Sequence, residues 1–194
     1  MTTLVGLTML VLAGCGAGPD ESVPGPAASM AASAGAGTPS ASPLSDIPVA
    51  AAGGPSAAAL MVCGEETRDN IVKILALPSP PGTSASWADK LYTCTYTLPA
   101  GALVLSVKEA PDPDTAHTYF QDLQRTTGGA APIEGLANLG FPAFQTPASA
   151  VFVKDNFVLT VDAAALPETL GPNQVTRAAF AYQVASTVLA CWSE

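Results

Sequence analysis

The chain is short of the residues on which catalysis and nucleic-acid binding most often depend. It holds one histidine, His117, so a two-histidine zinc site is excluded. It has no Gly-x-Ser-x-Gly elbow for a serine nucleophile, no P-loop and no Gly-x-Gly-x-x-Gly turn. Cations are scarce as well. Seven Lys+Arg face 16 Asp+Glu, a net charge of -9, which a phosphate backbone would repel, so a nucleic-acid partner is not expected. The apolar run from Leu4 to Leu12 falls well short of the roughly 20 residues a membrane-spanning helix needs. Aromatic residues are missing from the first third of the chain and all lie beyond residue 60.

What is present divides the chain into three parts. Leu4 to Leu12 has the length of a signal-peptide hydrophobic region. From Gly16 to Ala59 the composition is Ala, Gly, Pro and Ser, with only Asp20, Glu21 and Asp46 charged. Such a segment cannot bury enough apolar surface to offset its ordering entropy, and its Pro and Gly residues interrupt any helix. It reads as a disordered tether with a span of about 35–40 Å by flexible-chain scaling. Residues 60–194 have the length and apolar content of a single domain.

The four residues between the first two parts, Leu12-Ala13-Gly14-Cys15, resemble a bacterial lipobox. The resemblance implies cleavage before Cys15 and acylation of its thiol. Residues 1–14 would then be a lipoprotein signal peptide and 15–59 a lipidated cysteine with its tether. The localisation it implies is the extracytoplasmic side of the cell membrane, held by acyl chains that contribute about 0.8 kcal/mol per buried CH₂.

Within the domain, acids at Glu65 and Glu66 begin a helix whose apolar face is Ile71, Ile74 and Leu75, and which ends before Pro78. Pro78 to Ser86 reads as a loop. Leu91–Leu98 and Leu103–Lys108 alternate as strands. A four-residue loop, Pro99 to Ala102, would place Leu98 opposite Leu103, Tyr96 opposite Leu105 and Cys94 opposite Val107. Cys94 then points to the core, and Thr93, Thr95, Thr97, Ser106 and Lys108 point outward with Val104 among them. Asp112-Pro113-Asp114 starts a second helix, running to about Arg125 and burying Ala116, Phe120 and Leu123. A strand is expected near Ala143 to Thr146. Val151–Lys154 and Phe157–Asp162 form a hairpin over Asp155-Asn156, apolar on both faces. A final helix runs from Pro172 to about Cys191. The predicted fold is α+β, an antiparallel sheet of about five strands with three helices in the order α-β-β-α-β-β-β-α, the helices covering one face.

Beside Cys15 there are three cysteines. Outside the membrane a disulfide is expected, and three thiols allow one bridge. Cys63 precedes the first helix and Cys94 faces the core beneath it, which favours Cys63–Cys94. Cys191 lies on the Phe180, Val184 and Val188 side of the last helix and could replace either partner. The spacing of the three does not suit zinc, and no metal or other cofactor is expected. The layout is also similar to uncharacterised actinobacterial lipoprotein domains: a Pro/Ala/Ser tether, a cysteine before the first helix, Cys94-Thr95-Tyr96 on a strand and a glycine-containing segment from Gly135 to Phe144. Cys191 lies outside that pattern, and the resemblance carries no activity.

Chemistry is thinly signalled. His117 sits beside Gln121 and Gln124 on a solvated helix face. Asp112 and Asp114, like Glu65, Glu66 and Asp69, have the positions of helix-start residues. Asp112-x-Asp114 lacks the glycine and glutamate of a calcium loop. The outward sheet face remains. Thr93, Thr95, Thr97 and Ser106 supply hydroxyls, and Val104, Val151, Val153 and Val158 would lie alongside if the two hairpins are neighbours. Such a surface either docks a peptide, a lipid tail or an envelope-protein partner, or is covered by the segment from Thr126 to Pro142. The functional expectation is a membrane-anchored exocytoplasmic lipoprotein acting as a non-catalytic binding or envelope-accessory module, with an envelope hydrolase as the alternative.

Overall fold

The computed structural model describes residues 53–192, all within one compact unit. The signal-peptide residues 1–14, the candidate lipidation site Cys15 and residues 16–52 of the tether lie outside the described residues.

The fold is α+β and antiparallel throughout, with three longer helices. The elements in chain order are α1 (Ala57–Leu60), a 3-10 turn (Met61–Cys63), α2 (Glu65–Leu75), β1 (Gly82–Ala88), β2 (Leu91–Leu98), β3 (Gly101–Glu109) and α3 (Pro113–Thr126). There follow β4 (Ala131–Pro132), a second 3-10 turn (Gly135–Asn138), β5 (Ala143–Gln145), β6 (Ser149–Lys154), β7 (Phe157–Asp162), β8 (Thr169–Leu170), β9 (Val175–Thr176) and α4 (Arg177–Cys191). Seven strands form one sheet in the order β1-β2-β3-β7-β6-β5-β4, and β8 and β9 pair separately. The sheet is therefore larger than the five strands predicted.

The two extra strands of the large sheet occupy its edges, where the hydrophobic signal is weakest. β1 takes up the second half of the stretch that reads as loop, with Trp87 and Ala88 beyond it, and all its residues but Trp87 are exposed. β4 is two residues long and exposed. An edge strand with solvent on both faces has no period-2 alternation to detect. The β1–β2 turn is Asp89-Lys90, both with positive φ (51° and 60°), the geometry of a two-residue hairpin without the usual Asn-Gly.

The β2–β3 hairpin differs from the predicted register by two residues. Its loop is only Pro99-Ala100. Leu98 pairs with Gly101, Tyr96 with Leu103 and Cys94 with Leu105. Gly101 makes the tighter loop feasible. It has φ 141°, and a Cβ there would collide with the Ala165 carbonyl oxygen, so the position requires glycine. A two-residue slip leaves every side chain on its predicted face. Tyr92, Cys94, Tyr96, Leu98, Leu103, Leu105 and Val107 are all buried in the main core, while Thr97 is exposed and Thr93, Thr95, Val104 and Ser106 are half-buried.

That core lies between the inner face of the sheet and α2 and α4. Ile71 and Leu75 come from α2; Phe180, Val184 and Val188 come from α4; Phe152, Leu159 and Val161 come from β6 and β7. α4 begins at Arg177, capped by the Thr176 hydroxyl, which accepts from the Ala179 amide at 3.2 Å. Residues 172–176, predicted as its first turn, belong to the β8–β9 hairpin. Residues 57–60, which composition assigns in part to the tether, form α1. Ser56 caps this turn, and Ala59 is fully buried.

Helices cover both faces of the sheet, not one. α3 crosses the outer face and buries Ala116 and Phe120 against Phe144, Val151, Val153 and Val158 in a second, smaller core. Phe120 and Phe144 are tilted rings 5.3 Å apart. Two hydrogen bonds fix the start of this crossing. The Ala110 amide donates to the Asn156 carbonyl at 2.8 Å, and the Asn156 side-chain amide donates to the Ala110 carbonyl at 3.1 Å.

Candidate functional site

Five of the eight residues expected on the outward face lie together and uncovered by α3. β2 supplies Thr93, Thr95 and Thr97. Across the ladder, Ser106 stands opposite Thr93 and Val104 opposite Thr95. The same rows continue onto strands that the sequence did not assign to this face. On β1, Ser86 pairs with Thr93 and Ser84 with Thr95. On β7, Thr160 pairs with Ser106 and Asp162 with Val104. The result is a sheet surface of serine and threonine hydroxyls with Val104 at its centre. Each hydroxyl both donates and accepts, so the surface can bind polar groups of either kind.

Val151, Val153 and Val158 do not join it. They are 1–2% exposed, beneath Ala116 and Phe120 of α3. The hairpins are indeed neighbours, since β3 pairs with β7. The covering of their valine half comes mainly from α3, and the segment from Thr126 to Pro142 adds Ala130 at its margin. The sequence contained the relevant signal: the second helix and the second hairpin each carry an apolar face, and the two faces bury one another.

At the C-terminal end of α3 the covered and open halves meet in a cleft of about 290 Å³. Its apolar wall is Leu123, Phe144 and Val151, and Thr146, Ser149, Thr160 and Asp162 line the rest. Several of these polar groups are already engaged locally. The Thr146 and Ser149 hydroxyls are 2.8 Å apart, and Asp162 Oδ1 accepts from the Ala164 amide at 2.8 Å. The cleft opens onto the hydroxyl rows because Thr160 and Asp162 belong to both.

The three cysteines are separated by role. Cys63 and Cys94 are disulfide-bonded with Cα atoms 5.4 Å apart, and Cys191 lies outside the bridge. Cys94 is fully buried, so the bridge ties the turn before α2 into the core from beneath. Beside it, the Tyr96 hydroxyl donates to the Val62 carbonyl at 2.7 Å. Burial raises the Tyr96 pKa well above its ordinary value, keeping the phenol a donor. Cys191 borders a separate recess with Met61, Lys154, Phe157 and Trp192.

The charged candidates have structural positions. Asp112 caps α3, its Oδ1 accepting from the Thr115 amide at 2.7 Å. That bond and a second one from the Thr115 hydroxyl hold its pKa below the usual carboxylate range. Glu65 and Glu66 occupy the first turn of α2. His117 is exposed on α3. Among the described residues no group of three or more His, Cys, Asp and Glu is placed to hold a metal ion. No described helix is long and apolar enough to cross a membrane. Comparison with protein-family models, with curated proteins and with solved structures found no match for the chain.

Proposed function

We propose that the protein is a lipid-anchored exocytoplasmic module, held at the membrane through Cys15, whose open hydroxyl face docks a peptide, lipid or envelope-protein partner without catalysis. The observation that carries the binding role is the half-covered outer sheet. α3 buries its apolar half, and the Thr93, Thr95, Thr97, Val104 and Ser106 half stays accessible beside a partly apolar cleft. The Cys63–Cys94 bridge supports the compartment, since disulfides persist where thiols are not kept reduced. The lipobox-like Leu12-Ala13-Gly14-Cys15 supports the anchor.

Anchor and face are tested separately. In detergent phase separation the parent chain partitions into the detergent phase and Cys15→Ala into the aqueous phase, or it retains its leader; equal partition of fully processed forms defeats the anchor. For the face, native mass spectrometry follows the full chain extracted from envelopes in mild detergent. The parent carries added mass that Thr95→Arg with Ser106→Arg loses while keeping its melting curve. Bare protein in both cases removes the small-ligand form of the proposal.

A further inference from the structure

We infer that the β1 edge is a self-association surface, and that two copies of this chain join β1 to β1 in antiparallel register about Ala85. This goes beyond the docking role and does not depend on the anchor.

The two edges of the large sheet are built differently. The β4 edge is two residues long and contains Pro132, which cannot donate to a ladder. The β1 edge is seven residues, Gly-Thr-Ser-Ala-Ser-Trp-Ala, and among the described residues it pairs with β2 on one side only. Its seven residues include no charge and no proline, the usual protections of an edge, and the Lys90 ammonium just beyond them lies 5.8 Å from the Trp87 ring.

The occupant follows from the order of side chains along the strand. A two-fold pair that keeps inner face with inner face must be centred on a residue, because opposed residues in an antiparallel pair share a face. Centring on Ala85 pairs all seven residues, whereas centring on Ser84 or Ser86 pairs five. In that register Ala85 meets Ala85, Ser84 meets Ser86, Thr83 meets Trp87 and Gly82 meets Ala88. The central Ser84-Ala85-Ser86 is a palindrome, and the larger Trp87 of each copy is set against the smaller Thr83 of the other. The outer side gains two Ser–Ser pairs. On the inner side Trp87, half-exposed and with its indole N–H donating to the Gly53 carbonyl of its own copy at 2.6 Å, sets its ring against Thr83 of the other, with only alanine at the axis. The flanking charges do not oppose each other, since Asp89 and Lys90 fall opposite Pro81 and Pro80. The hydroxyl rows of both copies become one surface across the two-fold axis.

Sedimentation equilibrium of the full chain in density-matched detergent, over a wide concentration series, tests this directly. The parent gives a monomer–dimer equilibrium reaching a dimer and nothing larger. Ser84→Lys with Ser86→Lys sets like charges opposite each other only in the dimer, and shifts dissociation at least tenfold toward monomer with an unchanged melting curve. Mild oxidation adds a reading of register that is independent of the charge variant. Ala85→Cys gives a crosslinked dimer, whereas Ser84→Cys crosslinks only when mixed with Ser86→Cys. A parent chain that stays monomeric throughout overturns the inference, including the case in which residues before Gly53 occupy the edge of their own copy. So does a dimer that Ser84→Lys with Ser86→Lys leaves intact and that Ala85→Cys does not crosslink.

Discussion

Removing the Cys63–Cys94 bridge should destabilise the fold markedly while leaving the sheet's hydrogen bonding untouched. The two cysteines are 31 residues apart in sequence. Closing a loop of that length in the unfolded chain removes entropy worth about 3.7 kcal/mol at 25 °C in the chain-entropy relation. An unfolding entropy of about 2.1 cal/mol/K per residue, over about 140 folded residues, makes this a fall of about 12 °C in melting temperature. The change to make is Cys63→Ala with Cys94→Ala. Serine at position 94 would bury a hydroxyl among apolar neighbours, because Cys94 is fully buried, and would mix a desolvation cost into the result. The assay is thermal unfolding by circular dichroism, with peptide mapping of the unreduced parent to establish the pairing. Cys191→Ala is the control; a half-buried side chain outside the bridge should cost about 1 kcal/mol or less, about 3 °C. A fall below about 4 °C in a well-folded double variant would refute the entropic argument. If Cys191→Ala fell as far as the double variant, the stabilising bridge would involve Cys191 instead.

Four further outcomes are expected. Phe120→Ala should destabilise by about 3–5 kcal/mol, read by chemical denaturation, because it empties the smaller core between α3 and the valines of β6 and β7. Tyr96→Phe leaves the buried Val62 carbonyl without its donor, at a cost of about 1–3 kcal/mol in the same assay. Asp112 has a lowered folded-state pKa, so the stability its charge contributes is present above its unfolded value and lost as pH falls through the folded one. Asp112→Asn should therefore flatten the acid limb of a stability-against-pH profile, and an unaltered limb would contradict the capping role. Gly101→Ala should destabilise more than Gly82→Ala in parallel melts, because only the former meets backbone, and at positive φ.

How much of this could be read from the sequence depended on burial. β2, β3, β6 and β7 each present an apolar face, and their alternation or apolar content marked them correctly. Cys94 was placed in the core by the same pattern, and with it the bridge to Cys63. β1 was invisible because Ser84, Ser86 and Ala85 are exposed alike on both faces. The tighter β2–β3 turn was missed because a two-residue slip preserves every facing, so side-chain pattern cannot distinguish a loop of two residues from one of four. The contact of Gly101 with Ala165 decides it, and that neighbour is 64 positions away in sequence (165 − 101). Of the candidate face, the hydroxyl half was legible as a strand pattern. The fate of its valine half turned on where one helix crosses.

That crossing follows from topology, and it explains why part of the face stays open. β3 is the third strand of the seven-stranded sheet and the next strand in sequence, β4, lies at the far edge, with β7, β6 and β5 between them. The connection must traverse about four strand spacings, close to 19 Å at about 4.8 Å each. α3 has 14 residues, about 21 Å at about 1.5 Å per residue, so the helical part of the connection is by itself long enough for the traverse. Because it runs from β3 toward β4, it packs on β7, β6 and, through Phe144, β5, and leaves β1 and β2 behind its start. No other described helix reaches the outer side, since α2 and α4 contribute to the main core on the inner face. The distribution of residues follows the same division: valine and phenylalanine where α3 lies, threonine and serine where it does not. Inserting residues into α3 would lengthen a path already matched to its span and should disrupt the Phe120 contact before it shields Thr95. Loss of the Phe120–Phe144 contact with the hydroxyl face still accessible to solvent exchange would bear this out, whereas protection of β2 amides in such a variant would contradict it.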